Sequence, residues 1–256
     1  MSVKDGAPVI AANVPVTGVL VGTPMYGGQC YDSYLHGMLD LRAECLARGL
    51  PCHVMTTRNE SDIVRARNHI LAEFVASSCS HLVFIDSDIG FRGTDVLRLI
   101  AHGQDLVGAT YAKKNPHAVD FAYVPLDRAP RLASGLVEVA ALPGGFFCIR
   151  RDAVLEMTGA YRDLRYVKAP QELKGEPWEH HLYNLFGTMI CPQSRTYWTE
   201  DYAFSRRWRD LGGKIWLDPA IILEHSGTSV FTGDPATSFT SVATAAQSPR
   251  RRKGGV

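Results

Sequence analysis

Several things are missing from this chain, and each absence removes a class of function. No pair of its six cysteines is spaced Cys-x-x-Cys, which argues against a zinc knuckle or a thioredoxin-like redox centre. There is no Gly-x-Gly-x-x-Gly stretch, so a nicotinamide-binding turn of the usual kind is not expected. No long apolar run is present; Val14 to Val21 is too short and too broken for a signal or membrane segment. The formal net charge is only +1, which gives no global electrostatic case for nucleic acid or a membrane surface. No internal repeat is visible. The adjacent pair His180-His181 lacks the spacing of helical metal ligands.

What is there is an ordinary globular composition, 256 residues with 46% hydrophobic and 21% charged. That is enough for one large α/β domain and cramped for two. Free cysteines in apolar stretches pack as small hydrophobes and fit a reducing, cytoplasmic setting. Residues 1–15 read as a flexible leader. Residues 232–256 read as a disordered tail, with the basic cluster Arg250-Arg251-Arg252-Lys253 inside it. Between them lies one domain, 16–231, in two halves.

The first half, 16–111, alternates strand and helix four times, the pattern of a doubly wound, mostly parallel sheet. Strands are expected at Val16 to Gly22, Pro51 to Thr56, His81 to Ile85 and Asp105 to Tyr111. Helices are expected at Tyr31 to Arg48, with Leu35, Met38, Leu39, Leu41 and Leu46 inward, and from Ile63 to about Ala76, capped by Ser61-Asp62. A third is expected from Thr94 to about Gly103. The second half, 112–231, is richer in loops. An antiparallel ribbon is expected around Val119 to Val124 and Gly135 to Ala140. Strands follow at Phe146 to Arg150, Lys214 to Asp218 and Ile221 to Glu224, with a helix starting at Thr199-Glu200-Asp201.

The chemistry concentrates at His81-Leu82-Val83-Phe84-Ile85-Asp86-Ser87-Asp88. A run buried on both faces ends in two carboxylates one residue apart. Ligands of open α/β sheets bind at the carboxyl ends of strands. If the backbone stays extended, both acids point the same way, and their repulsion favours a shared cation. Hard oxygen ligands suit Mg²⁺ or Mn²⁺, which usually also hold substrate phosphates. The plain alternative is a strand followed by an Asp-rich turn.

With Phe84-Ile85-Asp86-Ser87-Asp88, Gly144-Gly145-Phe146-Phe147, Thr199-Glu200-Asp201-Tyr202-Ala203-Phe204 and the late His225, the chain resembles GT-A-type glycosyltransferases, including small bacterial and phage members. The resemblance covers roughly residues 16 to 231. It implies a Rossmann-like sheet with helices on both faces and a small antiparallel acceptor-side ribbon. It implies transfer of a sugar from a nucleotide-diphosphate sugar, with a UDP-sugar as the expected donor, onto an acceptor hydroxyl of a surface glycan or a hydroxylated DNA base. Asp88 and His225 would hold Mn²⁺ or Mg²⁺, with Asp86 on the ribose or donor sugar and also near the metal. The loop Thr23-Pro24-Met25-Tyr26-Gly27-Gly28 would receive the nucleotide, with Thr23, Pro24, Tyr26, Arg67 and Ser87 around it. For inverting transfer, Asp201 would be the base and Glu200 the second candidate; a retaining mechanism stays open. Lys113 and Lys114 are placed to reach phosphate or acceptor. Trp178, Tyr183, Tyr197 and Trp198 would face substrate or pack a lobe. Two other classes share these features: a sugar nucleotidyltransferase, and a carbohydrate-binding protein without turnover.

Overall fold

The computed structural model describes residues 15–239. The expected leader therefore falls almost wholly outside the described residues, as does the expected tail beyond 239 with its basic cluster; the tail's first part, 232–239, is ordered, with a helical turn at 236–239 and Phe239 packed on Tyr123 at a ring separation of 5.6 Å. No helix among the described residues is long and apolar enough to cross a membrane.

The strands of one seven-stranded sheet come from both halves of the chain. They are β1 (Val19–Pro24), β2 (Cys52–Thr57) and β3 (His81–Ile85), then, after the two-residue β4 (Ile89–Gly90), β5 (Leu106–Gly108), β6 (Val137–Glu138) and β7 (Phe146–Arg150). Two more two-residue strands, β8 (Met189–Ile190) and β9 (Tyr197–Trp198), form a separate hairpin, and β10 (Trp216–Leu217) returns to the main sheet. The order is β2-β1-β3-β7-β5-β10-β6. β7 and β6 run against the other five strands. The expected ribbon is thus not a separate unit. Val124 touches Ala141 and Arg131 touches Val137 as isolated bridges, while β6 pairs with β10 at the sheet edge.

Alternation along the strands builds a core on each face. Val19, Val21, Val83, Ile85, Phe146 and Cys148 face one layer; Leu20, Leu82, Phe84, Phe147 and Ile149 face the other. The first layer is closed by α1 (Asp32–Ala47) and α3 (Gly93–Ala101). The second is closed by α2 (Ile63–Ala76), α4 (Arg151–Ala160) and α5 (Glu200–Asp210). α2 starts where its sequence signal puts it, with the Asp62 carboxylate accepting from the Val64 amide at 2.9 Å. α3 begins one residue before Thr94, at Gly93, and the Asp95 carboxylate accepts from the Arg92 amide at 2.9 Å.

α1 corrects the expected stripe. Tyr34, Gly37, Leu41 and Cys45 face the sheet, while Leu35, Leu39 and Leu46 lie outward. The reason is close approach: a Cβ on Gly37 would stand 2.7 Å from the Phe91 carbonyl oxygen, so the helix seats on small residues. The last strands, β11 (Glu224–Ser226) and β12 (Val230–Phe231), pair with β4 in the order β12-β11-β4. The expected strand at Ile221 to Glu224 is therefore displaced toward the C-terminus. His225 lies inside it, opposite Ile89.

Candidate metal and nucleotide site

The end of β3 is organised around a buried arginine. The Arg67 side chain from α2 is 3% exposed. Its Nη2 donates to both Asp86 oxygens at 3.0 and 3.2 Å, and its Nη1 to the Gly144 carbonyl at 3.0 Å. Its Nε lies 3.5 Å from Glu200 Oε1. The Gly144 amide in turn donates to Asp201 Oδ2 at 3.0 Å, and the Asp86 amide donates to the Gly145 carbonyl at 3.0 Å. Backbone at Gly144-Gly145 thus joins strand end, arginine and helix start. Side chains are excluded there. A Cβ at Gly144 would meet Arg67 Nη2 at 2.5 Å, and one at Gly145 would meet the Tyr111 hydroxyl at 2.7 Å.

Three carboxylates around one guanidinium set the local electrostatics. Burial works against the Arg67 charge, and Asp86, Glu200 and Asp201 outweigh it, so the guanidinium is held protonated. Burial lifts the Asp86 carboxyl above its ordinary range, with Arg67 opposing and Asp88 adding to the rise. Glu200 is lifted too, by burial and then by the neighbouring Asp201 charge. Burial and the same carboxylates push the Tyr111 phenol well above its usual value, so it stays a neutral hydroxyl.

Asp86 and Asp88 do not point the same way. The chain leaves the extended conformation at Ile85, and the Ile89 amide donates back to the Asp86 carbonyl at 3.1 Å, closing a turn. Asp86 therefore turns onto Arg67, while Asp88 turns to the rim. There its Oδ2 accepts from Lys114 Nζ at 2.6 Å and faces His225 Nε2 at 3.5 Å. Pairing of β11 with β4 creates this meeting, and the Ser226 amide donating to the Asp88 carbonyl at 2.8 Å fixes it. Burial raises the Asp88 carboxyl, but the bonds from His225 and Lys114 outweigh it and hold it below the usual range.

The donor set at the rim suits a divalent cation. His225 Nδ1 lies 2.9 Å from the Ala112 carbonyl, which can only accept, so Nδ1 carries the proton. With Nδ1 committed to that carbonyl, Nε2 is the ring atom turned to the Asp88 carboxylate oxygen: with a proton it donates there, and without one it presents a lone pair that a cation between the two would take. Holding one ring nitrogen on a carbonyl is how ligating histidines are oriented. Two ligand atoms about 2.1 Å from a metal sit roughly 3.0–3.4 Å apart, close to the 3.5 Å observed. No group of three or more His, Cys, Asp or Glu among the described residues is arranged to hold a metal. The expected trio is thus a pair, Asp88 and His225, with Asp86 committed to Arg67. Such a pair fits Mg²⁺ or Mn²⁺, whose other ligands come from phosphate and water.

The loop after β1 borders this rim. Tyr26 is exposed, Pro24 partly so, and the Tyr31 amide donates to the Ser87 carbonyl at 3.0 Å, tying the loop to Asp86-Ser87-Asp88. Thr23, in contrast, is buried with its hydroxyl on Tyr34 Oη at 2.7 Å. It supports the wall from behind and offers no open contact. Arg65 points away from the hub toward Glu60 at 3.2 Å and Glu172 at 3.8 Å. Trp178 packs on His69 with ring centroids 4.0 Å apart, so it serves packing. Asn68, expected with Arg65 and Arg67 to face the donor in an Ala-Arg-Asn stretch, is buried instead: its carbonyl oxygen accepts from the Phe186 amide at 3.0 Å and its amide donates to Asn184 at 3.0 Å, anchoring the long loop region beside the hub. Its place next to Arg67 on a buried helix face was the available signal.

The two acids of α5 are not equivalent. Asp201 accepts from the Gly144 amide at 3.0 Å, the Thr199 hydroxyl at 2.6 Å and the Tyr202 amide at 2.8 Å. Glu200, 17% exposed, has its ion contact with Arg67.

No family model and no curated protein matches this sequence. Among solved structures, A197 from STIV superposes with a TM-score of 0.50 at 14% identity, over 86% of this chain and 91% of that one. GalNAc-T7, solved with UDP, GalNAc and Mn²⁺, gives a TM-score of 0.40 at 14% identity, over 82% of this chain and 43% of that one. S. aureus TarS 1-349 in complex with UDP gives 0.36 at 16% identity, over 66% and 54%. The chain spans about half the length of these last two. Likeness at such identity concerns the path of the backbone. The superposition on A197, together with the mixed sheet and helices on both its faces, gives the chain an α/β fold of the expected class.

Proposed function

We propose that this protein is a metal-dependent glycosyltransferase that takes a sugar from a nucleoside-diphosphate sugar, a UDP-sugar first among them, to an acceptor hydroxyl. The observation that carries the reading is the Asp88–His225 pair, 3.5 Å apart with the Nδ1 proton fixed by Ala112, at the mouth of the β3 end. Asp88 and His225 would hold Mn²⁺ or Mg²⁺. An ion held there would supply positive charge to neutralise the departing diphosphate.

The chain's own groups do the rest. Arg67 opposes the rise that burial imposes on the Asp86 carboxyl and orients it from behind, leaving the 29% exposed carboxyl able to accept from a ribose or sugar hydroxyl. Tyr26 would offer an open ring for the base, and the Ser87 carbonyl, holding the Tyr31 amide, would keep the loop beside it. In an inverting transfer a carboxylate takes the acceptor proton as the new bond forms. Asp201 has three donors on its oxygens, which suits it to holding the Gly144 peptide. Glu200 has lone pairs to spare and a raised pKa, which favours it as the base.

The test is a donor panel of UDP-, GDP-, CDP- and TDP-sugars with Mn²⁺, offered with glycan, protein and hydroxymethylated-DNA acceptors and read by mass spectrometry. A product heavier by one sugar residue, with the matching nucleoside diphosphate released, is expected. Pyrophosphate release from a nucleoside triphosphate and a sugar phosphate would instead identify a nucleotidyltransferase.

A further inference from the structure

Lys114 reaches the rim from the loop after the bridge between Ala112 and Phe121. Its arm lies across Gly227, where an added Cβ would stand 3.1 Å from Cδ and 3.4 Å from Cε. Laid down this way, its ammonium donates to Asp88 Oδ2 at 2.6 Å, the same oxygen that faces His225 Nε2. Lys113 is turned elsewhere and pairs with Asp120 at 2.7 Å. One carboxylate oxygen is therefore claimed twice: by an ammonium the chain carries, and by the position between Asp88 and His225 that suits a divalent ion.

We propose that Lys114 is a resident counter-cation that competes with the divalent metal for Asp88. This deepens the metal-site reading above and rests on it. An ammonium and a divalent ion on one oxygen would lie within a few ångströms of each other, and their repulsion is strong at the protein surface. Metal entry therefore requires the Lys114 arm to swing off Asp88. Its side chain is 36% exposed, so the swing costs little packing. A diphosphate supplies negative charge that tips the exchange, because it binds the metal and offers the freed ammonium a new partner. Free metal is then held weakly, and loading is coupled to nucleotide.

The experiment is a Mn²⁺ titration of the whole chain and of Lys114→Met, followed by electron paramagnetic resonance, with and without UDP. Lys114→Met is expected to tighten Mn²⁺ binding without nucleotide by roughly two- to fivefold, the scale of one partly exposed ion pair, and to shrink the added affinity that UDP confers. Equal or weaker binding by the variant overturns the competition and leaves the metal site standing. Absence of bound Mn²⁺ in both proteins, even with UDP, overturns the metal reading itself. Should the variant not fold, the unaltered chain gives the answer. Mn²⁺ with UDP should raise acetylation of Lys114 by an amine-reactive ester while Lys113 stays constant, and unchanged labelling of Lys114 despite bound Mn²⁺ contradicts the exchange.

Discussion

The hub around Arg67 and the rim around Asp88 lie two residues apart on the chain, at Asp86 and Asp88, yet they are built on opposite terms. In the hub, the guanidinium, two peptide groups and three carboxylates are interlocked, and two glycines exist to let them approach. At the rim, the cation is a lysine whose side chain is 36% exposed, against 3% for Arg67, and the partners of Asp88 come from a loop and from a strand late in the chain. Buried ion pairs are expensive to break because removing one partner leaves an uncompensated charge. Exposed pairs are worth little and exchange easily. The comparison teaches that an Asp-x-Asp pair need not be two copies of one function. Here the first acid is bonded into the frame, and the second pairs with a lysine at the rim, where the proposed exchange would take place.

Five substitutions sharpen or break that contrast. Glu200→Gln should cost the largest effect, a loss of about 10²–10⁴-fold in transfer rate, the usual worth of a general base, with UDP binding unchanged in calorimetry. Because the Glu200 carboxyl is raised by burial and Asp201, its ionisation opposes folding. That penalty is absent below the ordinary Glu pKa of about 4.3 and grows as pH rises through the folded value. The variant should therefore be at least as stable as the parent at pH 7, and the difference should vanish at acid pH in urea titrations. Asp201→Asn supplies the control: if it abolishes transfer and Glu200→Gln does not, the base is Asp201. Arg67→Met should destabilise by about 3–5 kcal/mol in urea unfolding, as expected for a broken buried pair; a loss below 1 kcal/mol would mean the hub is not a frame. Gly144→Ala should cost about 1–3 kcal/mol by crowding Arg67, visible as a lowered melting temperature. Lys113→Ala should change stability by only a few tenths of a kcal/mol, since its pair with Asp120 is exposed.

Sequence reading reached the parts set by local pattern. Five buried residues in a row made β3 plain, Asp62 marked the start of α2, and Thr199-Glu200-Asp201 marked α5. The pairing that decides the site was not legible. β7 runs antiparallel between β3 and β5 because residues far apart in the chain meet in register, which no short window records. The outward leucines of α1 misled because its inner face has one leucine, Leu41, beside Tyr34, Gly37 and Cys45. The split of Asp86 from Asp88 depends on a turn that follows the strand, and the partnership of Lys114 with Asp88 on a loop placed by tertiary contacts. Extended geometry was a fair premise for two acids after a strand, and the turn at residues 86–89 is what defeats it.

The most direct measurement of the central claim is isothermal titration of UDP into the protein with and without Mn²⁺, repeated with Asp88→Ala. The account predicts binding that depends on Mn²⁺ in the parent chain and is lost in the variant, while both unfold at nearly the same urea concentration. UDP binding of equal strength with and without the metal, or unchanged in Asp88→Ala, would contradict it.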